Sequence, residues 1–309
     1  MKDISIIIST WNNSKRLSLT LESFRNCRIP EGLKWELVLV NNNCTDDTDE
    51  VAGRFLDKLP IVYVKEPLQG LSRARNKGLE TAQGELILFT DDDVKPCREW
   101  IITYWSAYQE KPSGYFFGGP IESEFESRTA FDNDLLMIAP ESVKGLNLGE
   151  EVKILPREYF IAANWACPAS TIRELGSFDI SKGLNVASGR IRAGEETGLM
   201  DRLRGKGWKA CYLPEAKIRH FVPLSKCSLK HIAGRCEAYG YELSEAHRYT
   251  GKTNTIHGVP LWIYKKIFSL WIIWVWNKIL NQKGYREYAV LRQWIGTARG
   301  LHESKITGT

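Results

Sequence analysis

The first half of the chain alternates short apolar runs with segments of helical period. The apolar runs occupy residues 4–8, 35–40, 61–64 and 86–89. The intervening segments carry apolar residues three or four positions apart, as at Leu17, Leu21 and Phe24, which is the spacing of a helix with one buried face. Strands that alternate with helices in this way pair in parallel through right-handed crossovers. The sequence therefore predicts an α/β fold with a mainly parallel sheet flanked by helices.

Polar segments follow three of the predicted strands. They are residues 10–12 (Thr-Trp-Asn), 41–43 (Asn-Asn-Asn) and 91–93 (Asp-Asp-Asp). The carboxyl ends of parallel strands meet at one edge of a sheet, and ligands bind beyond that edge. These three loops are expected to converge on one ligand site.

The three consecutive aspartates, Asp91, Asp92 and Asp93, are the most acidic of these loops. Carboxylates gathered at the end of a buried strand repel one another unless a cation or hydrogen-bond donors offset their charge. Hard oxygen ligands suit Mg²⁺ or Mn²⁺. The same triplet would also fit a solvated turn, or the cap of a helix that starts near Pro96. The pattern alone leaves a cation site and a capped turn open.

Several classes of protein are excluded or disfavoured by what the sequence lacks. No G-x-x-x-x-G-K-[ST] motif follows a strand and no G-x-G-x-x-G motif opens a helix, which excludes a P-loop and a dinucleotide site. A sugar nucleotidyltransferase would be expected to carry a Gly-rich basic loop after the first strand, where residues 9–13 read Ser-Thr-Trp-Asn-Asn. A net charge of +5 is too small and too dispersed to indicate a nucleic-acid-binding protein.

Five segments, in order, resemble a known family. They are residues 5–12, 40–46, 70–78, 84–93 and 194–203. Together they resemble the inverting glycosyltransferases of family 2, which have the GT-A fold. The second loop departs from the family pattern, because Asn41 stands where the family usually has Asp. That departure leaves the base of the nucleotide open.

The resemblance implies a GT-A type, Rossmann-like mixed sheet with a C-terminal helical extension. It implies a catalytic domain over residues 1–225, with a nucleotide-binding half (1–110) and an acceptor-binding half (111–225), followed by a helical region (226–309). The implied activity is metal-dependent, inverting transfer of a sugar from a nucleoside-diphosphate sugar, UDP-sugar first, to a hydroxyl of a glycan or lipid-linked glycan in cell-surface polysaccharide synthesis. A sugar nucleotidyltransferase and a non-catalytic nucleotide-sugar-binding or scaffold protein remain as alternatives.

The resemblance gives the three aspartates separate roles. Asp91 and Asp93 match the ends of the DXD motif, in which the first acid faces the ribose and the second coordinates Mn²⁺ or Mg²⁺. Asp92 is then the spacer, whose loss is expected to matter least. The donor-contacting positions implied in this way are Thr10, Trp11, Asn12, Asn41, Asn43, Arg75, Asp91 and Asp92.

A second acid is needed because a sugar hydroxyl is a weak nucleophile until a base removes its proton. The family pattern Gly-Glu-Asp corresponds to Gly194-Glu195-Glu196, in which Glu stands in place of the last Asp. Glu196 is therefore the expected base and Glu195 the second choice. Both acids would also fit ordinary exposed positions in the first turn of a helix, where they complement the helix dipole.

Further site residues are expected from the region around these motifs. His220 is a candidate metal ligand, although a lone histidine is as often structural. Asn164 and Trp165 are candidates for the sugar pocket, with a core Trp as the competing interpretation. Residues 183–193, rich in Gly and Ser, are expected to form a mobile lid over the donor.

The most apolar stretch of the chain lies near its C-terminus, at about 259–281. Its uninterrupted part, residues 267–276, is too short for the roughly 20 residues that cross a bilayer. Four of the eleven tryptophans lie here beside Lys265, Lys266 and Lys278, a composition that favours a helix lying on an anionic membrane surface. Packing on the catalytic domain, or across a homodimer interface, is the alternative. A membrane contact would suit a polyprenyl-linked acceptor.

The seven cysteines form no C-x-x-C pair, and their odd number disfavours a complete disulfide framework. The first residues lead into a short apolar run that is expected to be a core strand rather than a secretory signal. The expected location is the cytoplasm, peripheral on the inner face of the cell membrane.

Overall fold

The computed structural model of the chain describes residues 2–127, 132–181, 184–185, 190–191, 194–246 and 254–307. The strands are β1 (Lys2–Thr10), β2 (Trp35–Asn41), β3 (Ile61–Lys65), β4 (Gly84–Asp91), β5 (Val94–Pro96), β6 (Tyr115–Gly118), β7 (Ile121–Phe125), β8 (Lys153–Leu155), β9 (Trp165–Pro168), β10 (Leu184–Asn185), β11 (Arg190–Ile191), β12 (Lys209–Tyr212), β13 (Ile218–Val222), β14 (Thr255–Ile256) and β15 (Val259–Pro260). The helices are α1 (Ser14–Phe24), α2 (Thr48–Gly53), α3 (Leu71–Thr81), α4 (Trp100–Glu110), α5 (Asn133–Met137), α6 (Glu141–Lys144), α7 (Ala169–Leu175), α8 (Glu195–Gly205), α9 (Leu229–Ala246), α10 (Leu261–Ile279) and α11 (Tyr285–Thr307).

The central sheet is mixed and mainly parallel, which confirms the predicted fold class. Its eight strands run in the order β3-β2-β1-β4-β9-β6-β12-β8. Strands β3, β2, β1 and β4 pair in parallel, whereas β9 is antiparallel to both β4 and β6. A smaller sheet joins β5, β13 and β7.

Strand β1 lies inside the sheet and is apolar on both faces, as expected for a strand covered on both sides. Ile4, Ile6 and Ile8 pack in one core with α1, and Ile7 packs in the other core. All four isoleucines are at most 1% exposed. This double burial fixes the register of β1 and thus the position of the loop that follows it.

The triplet of Asp91, Asp92 and Asp93 is followed by a strand and not by a capped helix. No helix starts near Pro96, because residues 94–96 form β5, and α4 begins at Trp100. Strand β5 pairs with β13, so a long-range contact decides the structure of that segment.

The described residues fall into two compact units. The first unit takes in residues of the ranges 1–124, 145–189 and 195–221, and the second takes in those of 125–144, 190–194 and 222–309. The second unit includes α5 and α6, which the sequence analysis assigned to the acceptor-binding half. Among the described residues, no helix combines the length and the hydropathy needed to cross a bilayer.

Helices α9 and α11 pack closely in the second unit through glycines. A Cβ at Gly296 would collide with the carbonyl oxygen of Glu237, and one at Gly240 would collide with that of Gln293. By contrast, a Cβ at Gly234 in α9 would meet nothing within 4 Å. The two helix backbones therefore approach each other only because these positions lack side chains.

Replacing Gly296 by Ala is expected to destabilise the protein by about 1–3 kcal/mol, the usual cost of overpacking. The matched change Gly234→Ala should be neutral or stabilise by up to about 1 kcal/mol, because Ala favours a helix more than Gly does. Urea unfolding of both variants beside the wild type checks this. Equal stabilities for the two variants would contradict the close approach of α9 and α11.

Candidate functional site

The ends of β1, β2 and β4 bring the three polar loops together. In the parallel register Thr10 lies opposite Asn41, and Ser9 lies opposite Asp91. The backbone N–H of Asn42 donates to the carbonyl oxygen of Thr10 at 2.9 Å. The predicted convergence of the loops at one sheet edge is therefore what the fold produces.

A buried arginine stands at the centre of this edge. Arg75, in the first half of α3, has a side chain that is only 5% exposed. Its Nη1 lies 3.1 Å from an Oε1 of Glu195 and 3.4 Å from an Oε1 of Glu196, and its Nη2 lies 3.6 Å from Oδ1 of Asp91. One guanidinium therefore joins the end of β4 to the first turn of α8.

The pKa values of Arg75 and Asp91 depend on the charges of their neighbours. Burial alone would lower the pKa of Arg75, but Glu196, Glu195 and Asp91 together raise it above its ordinary value, so the guanidinium stays charged. Desolvation raises the pKa of Asp91, and Arg75 opposes that rise, while Asp93 and Glu196 add to it. The site therefore holds more negative charge than Arg75 alone can balance.

A candidate metal centre lies beside Arg75. Ligand atoms of Asp91, Asp93 and His220 all lie within 4.8 Å of one another. His220 comes from β13, and its Nε2 is 3.1 Å from Oδ1 of Asp93. Two carboxylates and one imidazole form a donor set that suits Mn²⁺ and is acceptable for Mg²⁺. The structure thus brings together the predicted pair, Asp93 and His220, and adds Asp91 to it.

Asp92 has contacts that a spacer would lack. Its Oδ2 accepts a hydrogen bond from Oγ1 of Thr10 at 2.5 Å, and its Oδ1 accepts one from Nδ2 of Asn13 at 2.7 Å. The hydroxyl of Thr20 donates to its carbonyl oxygen at 2.9 Å. Asp92 thus ties the loop after β1 to the acidic turn. The expectation that Asp92 matters least is at odds with this network, and Asn13 and Thr20 were not foreseen.

Several predicted donor contacts are engaged within the protein. Asn41 is 3% exposed, and its side chain bonds to Asp49 and Tyr63 at 2.8 Å each. Thr10 is 1% exposed and directs its hydroxyl to Asp92. Both side chains are thus engaged within the protein, and their contacts to the donor stay predictions.

The remaining loop residues are more accessible. Trp11 is 39% exposed. Asn12 adopts φ 48° and accepts a hydrogen bond on Oδ1 from the N–H of Thr45 at 2.7 Å, and Asn43 adopts φ 59°. Asn tolerates this left-handed conformation better than most residues, which explains its repeated use here. Trp11 is the loop residue that offers an exposed ring at the sheet edge.

The prediction that Asn164 and Trp165 line a sugar pocket is wrong. Both residues are 0% exposed. The side chain of Asn164 accepts from Nε1 of Trp100 and the hydroxyl of Tyr104, and donates to two carbonyl oxygens. The indole of Trp165 stacks on Phe89 with ring centroids 4.8 Å apart. Both side chains are part of the core around β9.

The predicted lid, residues 183–193, lies largely outside the described residues. Strands β10 and β11 within it pair in a two-stranded sheet. Its role as a lid stays a prediction.

Residues 5–160 match the sequence pattern of the family described as Glycosyl transferase family 2. That match spans half of the chain, and the chain therefore belongs to this family. The resemblance drawn from the five segments is confirmed.

Two curated relatives show the range of similar proteins. The pre-mycofactocin glycosyltransferase of Mycobacterium tuberculosis is 25% identical over 294 residues, which cover 88% of this chain and 52% of the relative. The succinoglycan biosynthesis protein ExoM of Rhizobium meliloti is 22% identical over 236 residues, 75% of this chain and 71% of the relative. The chain spans about half the length of the first curated relatives it matches.

A solved structure supports the fold. The mannosyltransferase PcManGT from Pyrobaculum calidifontis, in complex with GDP-Man and Mn²⁺, superposes with a TM-score of 0.59 at 16% identity, covering 97% of this chain and 87% of that chain. At such an identity the likeness establishes the fold, which is of the GT-A type.

The Asp92 network predicts a pH-dependent stability difference. Desolvation and Asp93 raise the pKa of Asp92 to about 7, against about 3.9 for an unfolded Asp. Between these values the folded state holds a proton that the unfolded state has lost, so the free energy of unfolding falls as pH rises. With a chelator present, Asp92→Asn should gain stability relative to the wild type from pH 5 to pH 7, and then level off.

Thermal unfolding midpoints of both proteins across this range check the prediction. A wild-type-to-variant difference that stays constant with pH would show that Asp92 is ionised throughout, contrary to its partly buried position between Thr10 and Asn13.

Proposed function

We propose that the chain is a metal-dependent inverting glycosyltransferase that moves a sugar from a nucleoside-diphosphate sugar to a hydroxyl group. The observation that carries this proposal is the joining, through Arg75, of an acid at the candidate metal centre to the two acids of α8. Such a glycosyl transfer needs one set of carboxylates to hold a cation that would neutralise the departing diphosphate, and a further carboxylate to act as the base that deprotonates the acceptor. Membership of glycosyl transferase family 2 supports the reaction class.

On the donor side, Asp91, Asp93 and His220 would hold Mn²⁺ or Mg²⁺. When bound, such a cation supplies Lewis-acid neutralisation of the diphosphate leaving group. The excess negative charge described above suits a cation, since desolvation and the neighbouring Asp93 both raise the pKa of Asp91. Trp11, whose side chain in the loop after β1 is 39% exposed, is the proposed contact to the nucleotide. A UDP-sugar is the first donor to assay, with GDP-mannose beside it because PcManGT was solved with that donor.

On the acceptor side, Glu196 is the proposed base, and the neighbouring Glu195 is the alternative. The side chain of Glu196 is 20% exposed, whereas that of Glu195 is 5% exposed. A base must reach a proton on a substrate, which favours the more accessible carboxylate. Arg75 lies within hydrogen-bond distance of both carboxylates and fixes their positions.

With Glu196 as the base, one bond to the anomeric carbon forms and another breaks. Glu196 takes the proton of the acceptor hydroxyl, and the oxygen forms a bond to the anomeric carbon. The bond from that carbon to the diphosphate oxygen breaks with its electron pair going to the diphosphate. Attack opposite to the leaving group inverts the anomeric centre. The proton remains on Glu196 until it passes to solvent.

The proposed acceptor is a glycan or a polyprenyl-linked glycan of a cell-surface polysaccharide pathway, handled at the cytoplasmic face of the cell membrane. The relative ExoM, named for succinoglycan biosynthesis, supports a polysaccharide acceptor. We assign the reaction to a catalytic domain of residues 1–225, with the helical region of 226–309 as an accessory part.

Asp93→Asn and Glu196→Gln are each expected to lower turnover by about 100-fold or more. The first change removes a charge from the metal centre, and the second removes the base. Turnover is measured with a sugar-labelled nucleoside-diphosphate sugar and an acceptor extract, by following the nucleotide released and the labelled product. Asp57→Asn, at an exposed acid of the first unit, is the matched control and should retain full activity.

The nature of the released product separates the alternatives. A glycosyltransferase releases nucleoside diphosphate, whereas a nucleotidyltransferase makes or consumes the nucleotide-sugar itself with pyrophosphate. A non-catalytic binding protein would bind donor without any turnover. Full activity in both Asp93→Asn and Glu196→Gln would refute the assignment of these residues.

A further inference from the structure

Helix α10 presents an apolar face that stays largely exposed among the described residues. Its opposite side is buried: Ile263 and Ile267 pack in a cluster with Trp294 and Leu301 of α11. The outer side carries large apolar residues at helical spacing. They are Tyr264, Phe268, Trp271, Ile272 and Ile279, which are 39%, 61%, 48%, 46% and 67% exposed. We refer to these five residues as the outer face of α10.

The outer face is built of side chains that suit the boundary between lipid and water. Phe268 and Trp271 stack on each other with ring centroids 6.1 Å apart. Trp and Tyr combine an apolar body with one polar group, which is why they concentrate at membrane interfaces. An exposed apolar surface of this extent costs free energy in water unless a partner covers it.

The charged side chains of α10 and of the segments beside it are all cationic. No Asp or Glu occurs between Glu245 and Glu287. Helical spacing places Lys265 at one border of the outer face and Lys278 at the other, and both lysines are exposed. Their alkyl stems can follow the apolar surface while the ammonium groups reach outward. Lys278 and Lys265 thus flank the five residues of the outer face, and the exposed side chains of Trp262, Ile273 and Trp276 extend the apolar surface of α10 past Lys265.

We propose that the outer face of α10 docks on an anionic lipid bilayer and lies in its interface without crossing it. The apolar centre would enter the headgroup boundary, and Lys265 and Lys278 would meet lipid phosphates. The length and hydropathy of the helix agree with a surface position, since no described helix is able to span a bilayer. The proposal does not rest on the glycosyl transfer reaction, and its test needs neither donor nor metal.

A second copy of the chain is the competing occupant, and the charges disfavour it. A two-fold pairing of outer faces would place the lysine borders of both copies near each other, with no acid in the segment to oppose them. An anionic lipid surface supplies the opposite charge along both borders.

The test is cosedimentation of the full chain with vesicles of phosphatidylcholine alone and of phosphatidylcholine mixed with phosphatidylglycerol, at low salt. The wild type should pellet with the anionic vesicles. Phe268→Ser combined with Trp271→Ser should weaken binding at least about tenfold, since two large apolar side chains no longer enter the interface. Met137→Ser, at a residue of α5 that is 78% exposed, is the matched control and should bind like the wild type.

A second variant tests the charges. Lys265→Gln combined with Lys278→Gln should weaken binding to anionic vesicles by about 25-fold, at about fivefold for each lysine, and should leave binding to phosphatidylcholine unchanged. Thermal midpoints equal to the wild type would show that these exposed changes leave the fold intact.

Three results would overturn the proposal. The wild type could remain in the supernatant with both kinds of vesicle, or the Phe268 and Trp271 double variant could bind as well as the wild type. The wild type could also sediment as a dimer that the same double variant dissociates, without binding to vesicles. The last result would assign the outer face of α10 to a second copy.

Discussion

The ion pairs of the buried Arg75 are the interaction on which the site depends. The carboxylates of Asp91, Glu195 and Glu196 lie within 3.1–3.6 Å of its guanidinium nitrogens. Removing one partner of such a buried group leaves uncompensated charge, which costs several kcal/mol. Arg75 therefore fixes two distant segments of the chain, the end of β4 and the start of α8, in one place. The proposed donor and acceptor chemistries meet because this cation holds both.

The fold supplies the rigidity that this arrangement needs. Strand β1 is buried on both faces, so the loop after it has a defined position. Asp92 then links that loop to the acidic turn through Thr10 and Asn13. A reaction centre of several charged groups requires such support, because small displacements of its groups cost much of the rate. Asp92 is thus a structural link between the proposed nucleotide loop and the candidate metal centre.

Much of the fold could be predicted from the sequence because its signals are local. The apolar runs and helical periods defined β1 to β4 and α1 to α3, and parallel topology then placed their loops at one edge. The segment after Asp93 was missed, since its strand exists only by pairing with the distant β13. The burial of Trp165 was decided in the same way, by the insertion of β9 between β4 and β6. No local pattern separates a core Trp from one that stacks on a sugar.

The site residues also differ in how far the sequence could predict them. Asp93, His220 and Glu196 were expected because the resemblance to the family implied their roles. The hydrogen bonds of Asp92 and Asn41 were not, because they depend on side-chain geometry after folding. Accessibility also could not be foreseen, and it is what favours Glu196 over its neighbour Glu195.

The most direct measurement of the central claim is a Mn²⁺ titration followed by electron paramagnetic resonance, in the presence of nucleoside diphosphates. The signal of free Mn²⁺ should fall in proportion to the wild-type chain, as it should for Asp57→Asn, whereas Asp93→Asn should leave it unchanged. A wild type that binds no Mn²⁺ with any nucleoside diphosphate would contradict a metal centre formed by Asp91, Asp93 and His220.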